Sequence, residues 1–129
     1  MKLTSTHYFI IATLVVFVGL IGWKVYESNK PGIFDSFAQC LADEGAVFYG
    51  AFWCPHCGDQ KNMFGNSERL LPYKECSLPS GQGQNEECNA AGIETYPTWD
   101  FADGSRVQGV QSISTLAEKT NCELPETRG

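Results

Sequence analysis

The sequence predicts an α/β domain, built as a central mixed sheet with helices on both faces and preceded by one N-terminal transmembrane helix. Three observations carry this expectation. Tyr8 to Trp23 runs for 16 residues without a charge. Ala46 to Trp53 is a continuous apolar run rich in strand formers, the pattern of a central strand buried on both faces. Around that run, helical and strand patterns alternate and end in a hairpin signal, an order that places helices on both sides of one sheet.

With the N-terminal stretch set aside, about 95 residues remain, enough for one small domain and no second. Hydrophobic residues make up 43% of the chain and charged residues 19%, as in an ordinary folded protein. The net charge of −6 argues against a nucleic-acid surface. Six cysteines in 129 residues would be liabilities in a reducing cytosol, so an oxidising compartment is expected.

Residues 1–7 are read as a short cytoplasmic N-terminus and residues 8–26 as the transmembrane anchor. Nineteen helical residues cover about 28 Å, close to the ~30 Å hydrocarbon thickness, and Lys2 and Lys24 at the ends can snorkel outward. His7 and Tyr8 at one end, with Trp23 and Tyr26 at the other, suit the two interfaces. The alternative is a cleaved signal peptide, but Leu20-Ile21-Gly22 and Tyr26-Glu27-Ser28 both lack a small first residue for cleavage. A retained signal-anchor is the expectation. Lys2 and the N-terminal amine face Lys24 and Lys30, offset only by Glu27, so charge hardly decides topology. The cysteines decide it: a single-pass membrane protein with its domain outside the cytoplasm, on the periplasmic or cell-surface side.

Residues 27–32, polar with a Pro-Gly breaker, form a linker; residues 33–124 form the domain, and 125–129 a tail. Ile33, Phe34, Phe37, Ala38 and Leu41 recur at helical spacing before Gly45, which predicts a helix over about 33–44 that carries Cys40 on or beside its apolar face. The strand Ala46–Trp53 follows and ends directly at Cys54. Pro55 suits a first helical position, and the segment through Phe64 closes at Gly65. Pro72 to Cys76 reads as a second strand, Ser77 to Asn85 as a loop, and Glu86 to Ala91 as a short helix holding Cys88. Thr98–Ala102 and Ser105–Val110 flank the hairpin signal Asp103-Gly104, and Ser112 can cap a last helix carrying Ile113, Leu116 and Ala117.

The chemistry centres on Trp53-Cys54-Pro55-His56-Cys57. A thiolate attacks disulfides and a thiol does not, and a helix N-terminus favours the negative charge, so Cys54 is the expected nucleophile. His56, when protonated or donating a hydrogen bond, would stabilise that thiolate further. Cys57, one turn on, would be the less exposed resolving thiol. Half of a zinc site is the competing reading of this spacing, but no second Cys-x-x-Cys or His-x-x-x-His completes four ligands. No metal and no cofactor are expected. With Cys54 and Cys57 paired, three pairings remain for the other four cysteines. Neighbouring elements favour Cys76 with Cys88, closing the Gly-rich loop for roughly 3 kcal/mol, as a structural staple or as an electron relay. Cys40 and Cys122 would then join the first and last helices, if these lie side by side.

Trp-Cys-x-x-Cys after a core strand, with Thr95-Tyr96-Pro97-Thr98 before a hairpin, resembles the thioredoxin superfamily throughout residues 33–121. The resemblance implies a thioredoxin-like fold in which Pro97 is cis and faces Cys54. It also implies that the Tyr96 backbone pairs with an extended substrate as an added strand, in a groove formed by Trp53, Tyr96 and Pro97. Tyr49 through Cys57, Asp59-Gln60-Lys61, Phe64-Gly65, Glu75-Cys76, Glu87-Cys88 and Tyr96-Pro97-Thr98-Trp99 resemble, more narrowly, the thioredoxin-like domain of bacterial vitamin K epoxide reductase homologues. There the domain is commonly fused to a four-helix quinone reductase, which implies here a separate quinone-linked membrane oxidase as partner. One departure concerns the buried acid of thioredoxin, which would fall six residues before Cys54 and is replaced by Phe48.

The leading expectation is a thiol-disulfide oxidoreductase, of protein disulfide oxidase or isomerase type, that donates a disulfide from Cys54-Cys57 to exported protein thiols. Its alternatives are an extracytoplasmic disulfide reductase, a copper(I) or other metal chaperone, for which no methionine cluster speaks, and a non-catalytic thioredoxin-like binding module.

Overall fold

A computed structural model describes residues 4–126. Lys2, assigned above to one flank of the span, and tail residues 127–129 lie outside the described residues. The chain divides into two compact units, one up to Lys30 and one from Pro31 onward. The first is helix α1 (Ser5–Ser28), which at 24 residues is about 36 Å long. It runs beyond both ends of the expected anchor, and its apolar side chains are exposed along its length. Thr13 Oγ1 returns its proton to the Phe9 carbonyl at 2.7 Å, so the hydroxyl needs no outside partner. By length and composition α1 suits a membrane anchor or a signal sequence.

The second unit holds α2 (Asp35–Asp43), β1 (Val47–Gly50), α3 (Pro55–Asn62), a 3-10 helix (Gly65–Leu70), β2 (Tyr73–Glu75), α4 (Glu86–Ala90), β3 (Thr98–Asp100), β4 (Arg106–Gln108) and α5 (Ile113–Thr120). The sheet order is β2-β1-β3-β4, with β1 parallel to β2 and antiparallel to β3, and β3 antiparallel to β4. This is a thioredoxin-like α/β arrangement. Successive residues of a strand point to opposite faces, and Phe48 and Tyr49 of β1 divide the core accordingly. Phe48 stacks on Trp99 at 4.8 Å and meets Tyr73 edge-on at 5.1 Å. It joins Phe37 and Leu41 of α2, Cys57 of α3 and Leu116 of α5. Tyr49, on the other face, packs with Cys76, Cys88 of α4 and Ile93. Helices therefore cover both faces, three on one and the short α4 on the other.

Four local differences from the sequence reading have physical causes. First, α2 begins at Asp35, two residues late, because Asp35 Oδ1 accepts the Gly32 N–H at 3.1 Å and Ile33 stays exposed. Second, β1 stops at Gly50 rather than Trp53. Gly50 is the last residue in register with β2, and the Phe52 N–H turns to the Glu75 carboxylate at 3.1 Å instead of a strand. Third, the final hairpin joins β3 to β4 through five residues, Phe101 to Ser105, instead of a two-residue turn. The Gly104 N–H donates to the Phe101 carbonyl at 3.0 Å with φ +81°, a left-handed position that glycine fills without strain. Fourth, the 3-10 helix has no counterpart in the sequence reading. It is held by Ser67 Oγ, which accepts the Phe34 N–H at 3.0 Å, and by Arg69, whose guanidinium grips Asp35 at 2.7 and 2.8 Å.

Candidate active site

The turn from β1 into α3 builds the site. Cys54 is the N-cap of α3 with an extended backbone, φ −80° and ψ 118°, and Pro55 takes the first helical position, where a missing N–H costs nothing. Cys54 thus stands at the N-terminal end of α3, and its side chain makes no capping hydrogen bond. Cys54 is 9% exposed and Cys57 only 1%. Both carry free thiols. Burial pushes the Cys57 thiol up to about 12, and the neighbouring Cys54 adds to this, while a hydrogen bond from the Ala51 backbone and the Lys61 charge oppose it. Cys57 sits directly over Gly50: a Cβ there would meet Cys57 Sγ at 2.9 Å and Tyr73 Cε2 at 2.8 Å. Only glycine leaves room for that sulfur.

Around Cys54 the structure gathers Trp53, Tyr96 and Pro97. Cys54 Sγ lies 3.8 Å from the Tyr96 carbonyl oxygen. The Tyr96–Pro97 peptide bond is cis, and Pro97 is fully buried. Trp53 meets the Tyr96 ring edge-on at 5.9 Å and donates its indole N–H to Ser77 Oγ at 2.9 Å. The Tyr96 hydroxyl bonds the Gln84 side chain, so the loop after β2 is tied to the rim at both ends. Phe52 and Trp53 are 61% and 51% exposed, an apolar rim beside Cys54. His56 stands outside this group. Its ring is well exposed, and the partner of its Nδ1 is Asp59 at 3.5 Å.

Other residues that shape the site carried no assigned role in the sequence reading. Gln60, fully buried on α3, accepts the Gln111 N–H at 2.7 Å and the Trp99 indole N–H at 3.2 Å, and donates to the Gln111 carbonyl at 3.1 Å. This amide fixes the rotation of α3 against β3 and the segment before α5. Glu75, at the end of β2, accepts the Phe52 N–H, the Ser77 N–H at 2.9 Å and the Tyr73 hydroxyl at 2.7 Å. Burial and the Glu75 carboxylate push the Tyr73 phenol well above its ordinary range. The only sequence signal for Gln60 and Glu75 was their place in the stretches that carry the narrower resemblance.

The remaining cysteines form two disulfides. Cys76 joins Cys88, 12 residues on, and both are completely enclosed. Cys40 on α2 joins Cys122 beyond α5, across 82 residues. Among the described residues no group of three or more His, Cys, Asp or Glu is placed to hold a metal ion. An apolar cleft lined by Ile33, Phe34, Ile113, Leu124 and Pro125 contains no thiol. The reactive groups, and not the volume of the cleft, locate the chemistry.

Fold and site define a thioredoxin-like domain with a dithiol at a helix N-terminus. No family model matches the sequence. The chain is 38% identical over 108 residues to the thiol-disulfide oxidoreductase LTO1 of Arabidopsis thaliana, an alignment covering 80% of this chain. It spans 28% of the length of that relative. The likeness supports a thiol-disulfide oxidoreductase role.

Proposed function

We propose that this protein exchanges disulfides with other proteins through Cys54 and Cys57. The observation that carries the reading is the asymmetry of the pair: Cys54 is 9% exposed at the start of α3, beside the Tyr96 carbonyl, while Cys57 one turn on is 1% exposed. An attacking sulfur needs access and a stabilised anion; a resolving sulfur needs only to reach the first. Among the described residues the Tyr96 N–H donates to no other backbone group. It is available to an extended substrate added as a strand, with Trp53 and Pro97 completing the groove.

In the finer reading the pair is a disulfide donor. Cys54 stands at a helix N-terminus, and a site that stabilises the dithiol form makes the disulfide oxidising. Exported protein thiols are the substrates. A quinone-linked membrane oxidase of the vitamin K epoxide reductase type restores the disulfide. Helix α1 anchors the chain in the membrane, with the domain outside the cytoplasm, and holds the pair near that partner at high effective concentration.

The test is the reduction potential of the Cys54-Cys57 pair in the metal-free full chain, together with its activity on a reduced, unfolded protein. A potential near the roughly −120 mV of a strong oxidant, with disulfides appearing in the unfolded protein, is the expected outcome. A potential near the roughly −270 mV of thioredoxin makes the protein a reductase instead.

A further inference from the structure

After β1 ends at Gly50 the chain makes the turn that carries Phe52, Trp53 and Cys54. Among the described residues the Phe52 N–H has no backbone acceptor; it donates to Glu75 Oε1 at 3.1 Å. The same oxygen accepts the Ser77 N–H at 2.9 Å, and the Tyr73 hydroxyl donates to Oε2 at 2.7 Å. One half-buried carboxylate thus joins the Cys54 turn to the start of the loop Ser77 to Asn85. Hydrogen bonds to a charged acceptor are stronger than neutral ones. Trp53 repeats the connection with its side chain, through the indole N–H on Ser77 Oγ. Near the far end of the loop the Gln84 side chain meets the Tyr96 hydroxyl. Between these ends the loop stays close to the rim: a Cβ on Gly81 would lie 3.7 Å from Phe52 Cζ and 4.0 Å from Trp53 Cδ1.

We infer that Glu75 is a positioning residue for partner binding: its carboxylate fixes the loop 77–85 against the Cys54 turn and so makes that loop one wall of the groove. The inference rests on the disulfide exchange proposed for Cys54 and Cys57. It concerns how a partner chain is held, and Glu75 takes no part in the sulfur chemistry.

The loop keeps its own shape without this carboxylate. The Cys76 N–H donates to the Gly50 carbonyl at 2.8 Å, and the Asn85 N–H to the Cys76 carbonyl at 2.8 Å. The Asn85 side-chain amide donates to the Glu75 backbone carbonyl at 2.6 Å, and the Cys76–Cys88 disulfide closes the base. These contacts are backbone or covalent at the Glu75 end, and a change of the Glu75 side chain leaves them in place. What the carboxylate controls is where the loop sits. Released from the turn, the loop no longer holds the Trp53 indole in one orientation, and an incoming partner must order both. That ordering cost falls on binding and not on the exchange of sulfurs.

The experiment mixes the full chain, in detergent and with Cys54-Cys57 oxidised, with increasing amounts of a reduced, unfolded protein in single turnovers. Two partner thiols become one disulfide, and the Cys54-Cys57 disulfide takes up their two electrons and two protons. Glu75→Ala should raise the half-saturating concentration by about 10-fold, the size of one lost hydrogen bond, while the limiting rate changes far less. Glu75→Gln keeps an oxygen for the two amides and should restore most of the wild-type value. Ser77→Ala removes the acceptor of the Trp53 indole and should act in the same direction, and it decides the matter should Glu75→Ala fail to fold. A wild-type half-saturating concentration in the folded variants overturns the inference. So does a fall confined to the limiting rate, or a Glu75→Gln chain as impaired as Glu75→Ala, since charge and not the tie would then matter. If the wild-type chain itself puts no disulfide into the unfolded protein, the exchange reading falls, and this inference with it.

Discussion

Cys54 with Cys57, and Cys76 with Cys88, are two close cysteine pairs beside the same end of β1, yet they are built for opposite ends. The first lies across the start of α3, with Cys54 9% exposed and Cys57, over Gly50, 1% exposed. The second is sealed beneath Tyr49 and Ile93 on the opposite face of the sheet, with neither residue exposed. Exchange requires a thiolate to approach a sulfur in line, so burial protects a bond that the same chemistry would otherwise open. On the proposed reading, what separates the reactive pair from the staple is that Cys54 keeps some exposure while Cys76 and Cys88 keep none.

The largest expected effect comes from removing that accessible sulfur. Cys54→Ser should abolish disulfide exchange with a reduced, unfolded protein, while Cys57→Ser should leave mixed disulfides visible as adducts on non-reducing gels. Full turnover in both variants would place the redox centre elsewhere.

Changing Cys76 and Cys88 together to Ala tests the other half of the contrast. Exchange at Cys54 should persist at temperatures where the domain stays folded, while stability falls by about 3 kcal/mol for a loop of this size. For so small a domain that corresponds to a Tm loss of roughly 12–24 °C. Retained folding with lost exchange would instead make the enclosed disulfide a relay.

A smaller effect follows from the buried Cys57 thiol. Its folded-state value is raised, so between the ordinary thiol range and that value the unfolded chain binds fewer protons than the folded one. Stability of the reduced form is therefore complete below the ordinary range and declines as pH rises through it, by at most about 1.4 kcal/mol per pH unit. The oxidised form has no proton there to lose. Paired melts of the two forms, with both staples intact, should show the gap shifting against the reduced form only on the alkaline side. A gap constant with pH would mean that Cys57 is not enclosed in solution.

The smallest concerns a region far from either pair. Arg69 holds the Asp35 carboxyl well below its usual range, so this contact is present above that range and is lost as acid protonates Asp35. Arg69→Ala should shift the acid limb of the melting curve slightly and leave exchange untouched. A change in the Cys54-Cys57 potential would show that the 3-10 helix reaches the site.

Much of the fold was legible because it follows from local pattern. The apolar run of β1, Pro55 after Cys54 and the Ser112 cap each announce an element: the Ser112 hydroxyl does accept the Thr115 N–H at 3.1 Å. Element ends were less legible. β1 stops at Gly50 because Phe52 finds a carboxylate 23 residues away, which no window along the chain contains. The 3-10 helix depends likewise on Ser67 meeting Phe34 and Arg69 meeting Asp35.

By itself the sequence determined the two thiols, their spacing, the proline that starts their helix and the long apolar stretch ahead of the domain, because these are properties of neighbouring residues. Only the tertiary structure decided what surrounds the thiols. Gly50 makes room for Cys57, Gln60 fixes the rotation of α3, and Glu75 holds the Phe52 N–H, through contacts that the local sequence pattern does not contain. Spacing sets which sulfurs can meet; packing sets how far each of them is enclosed.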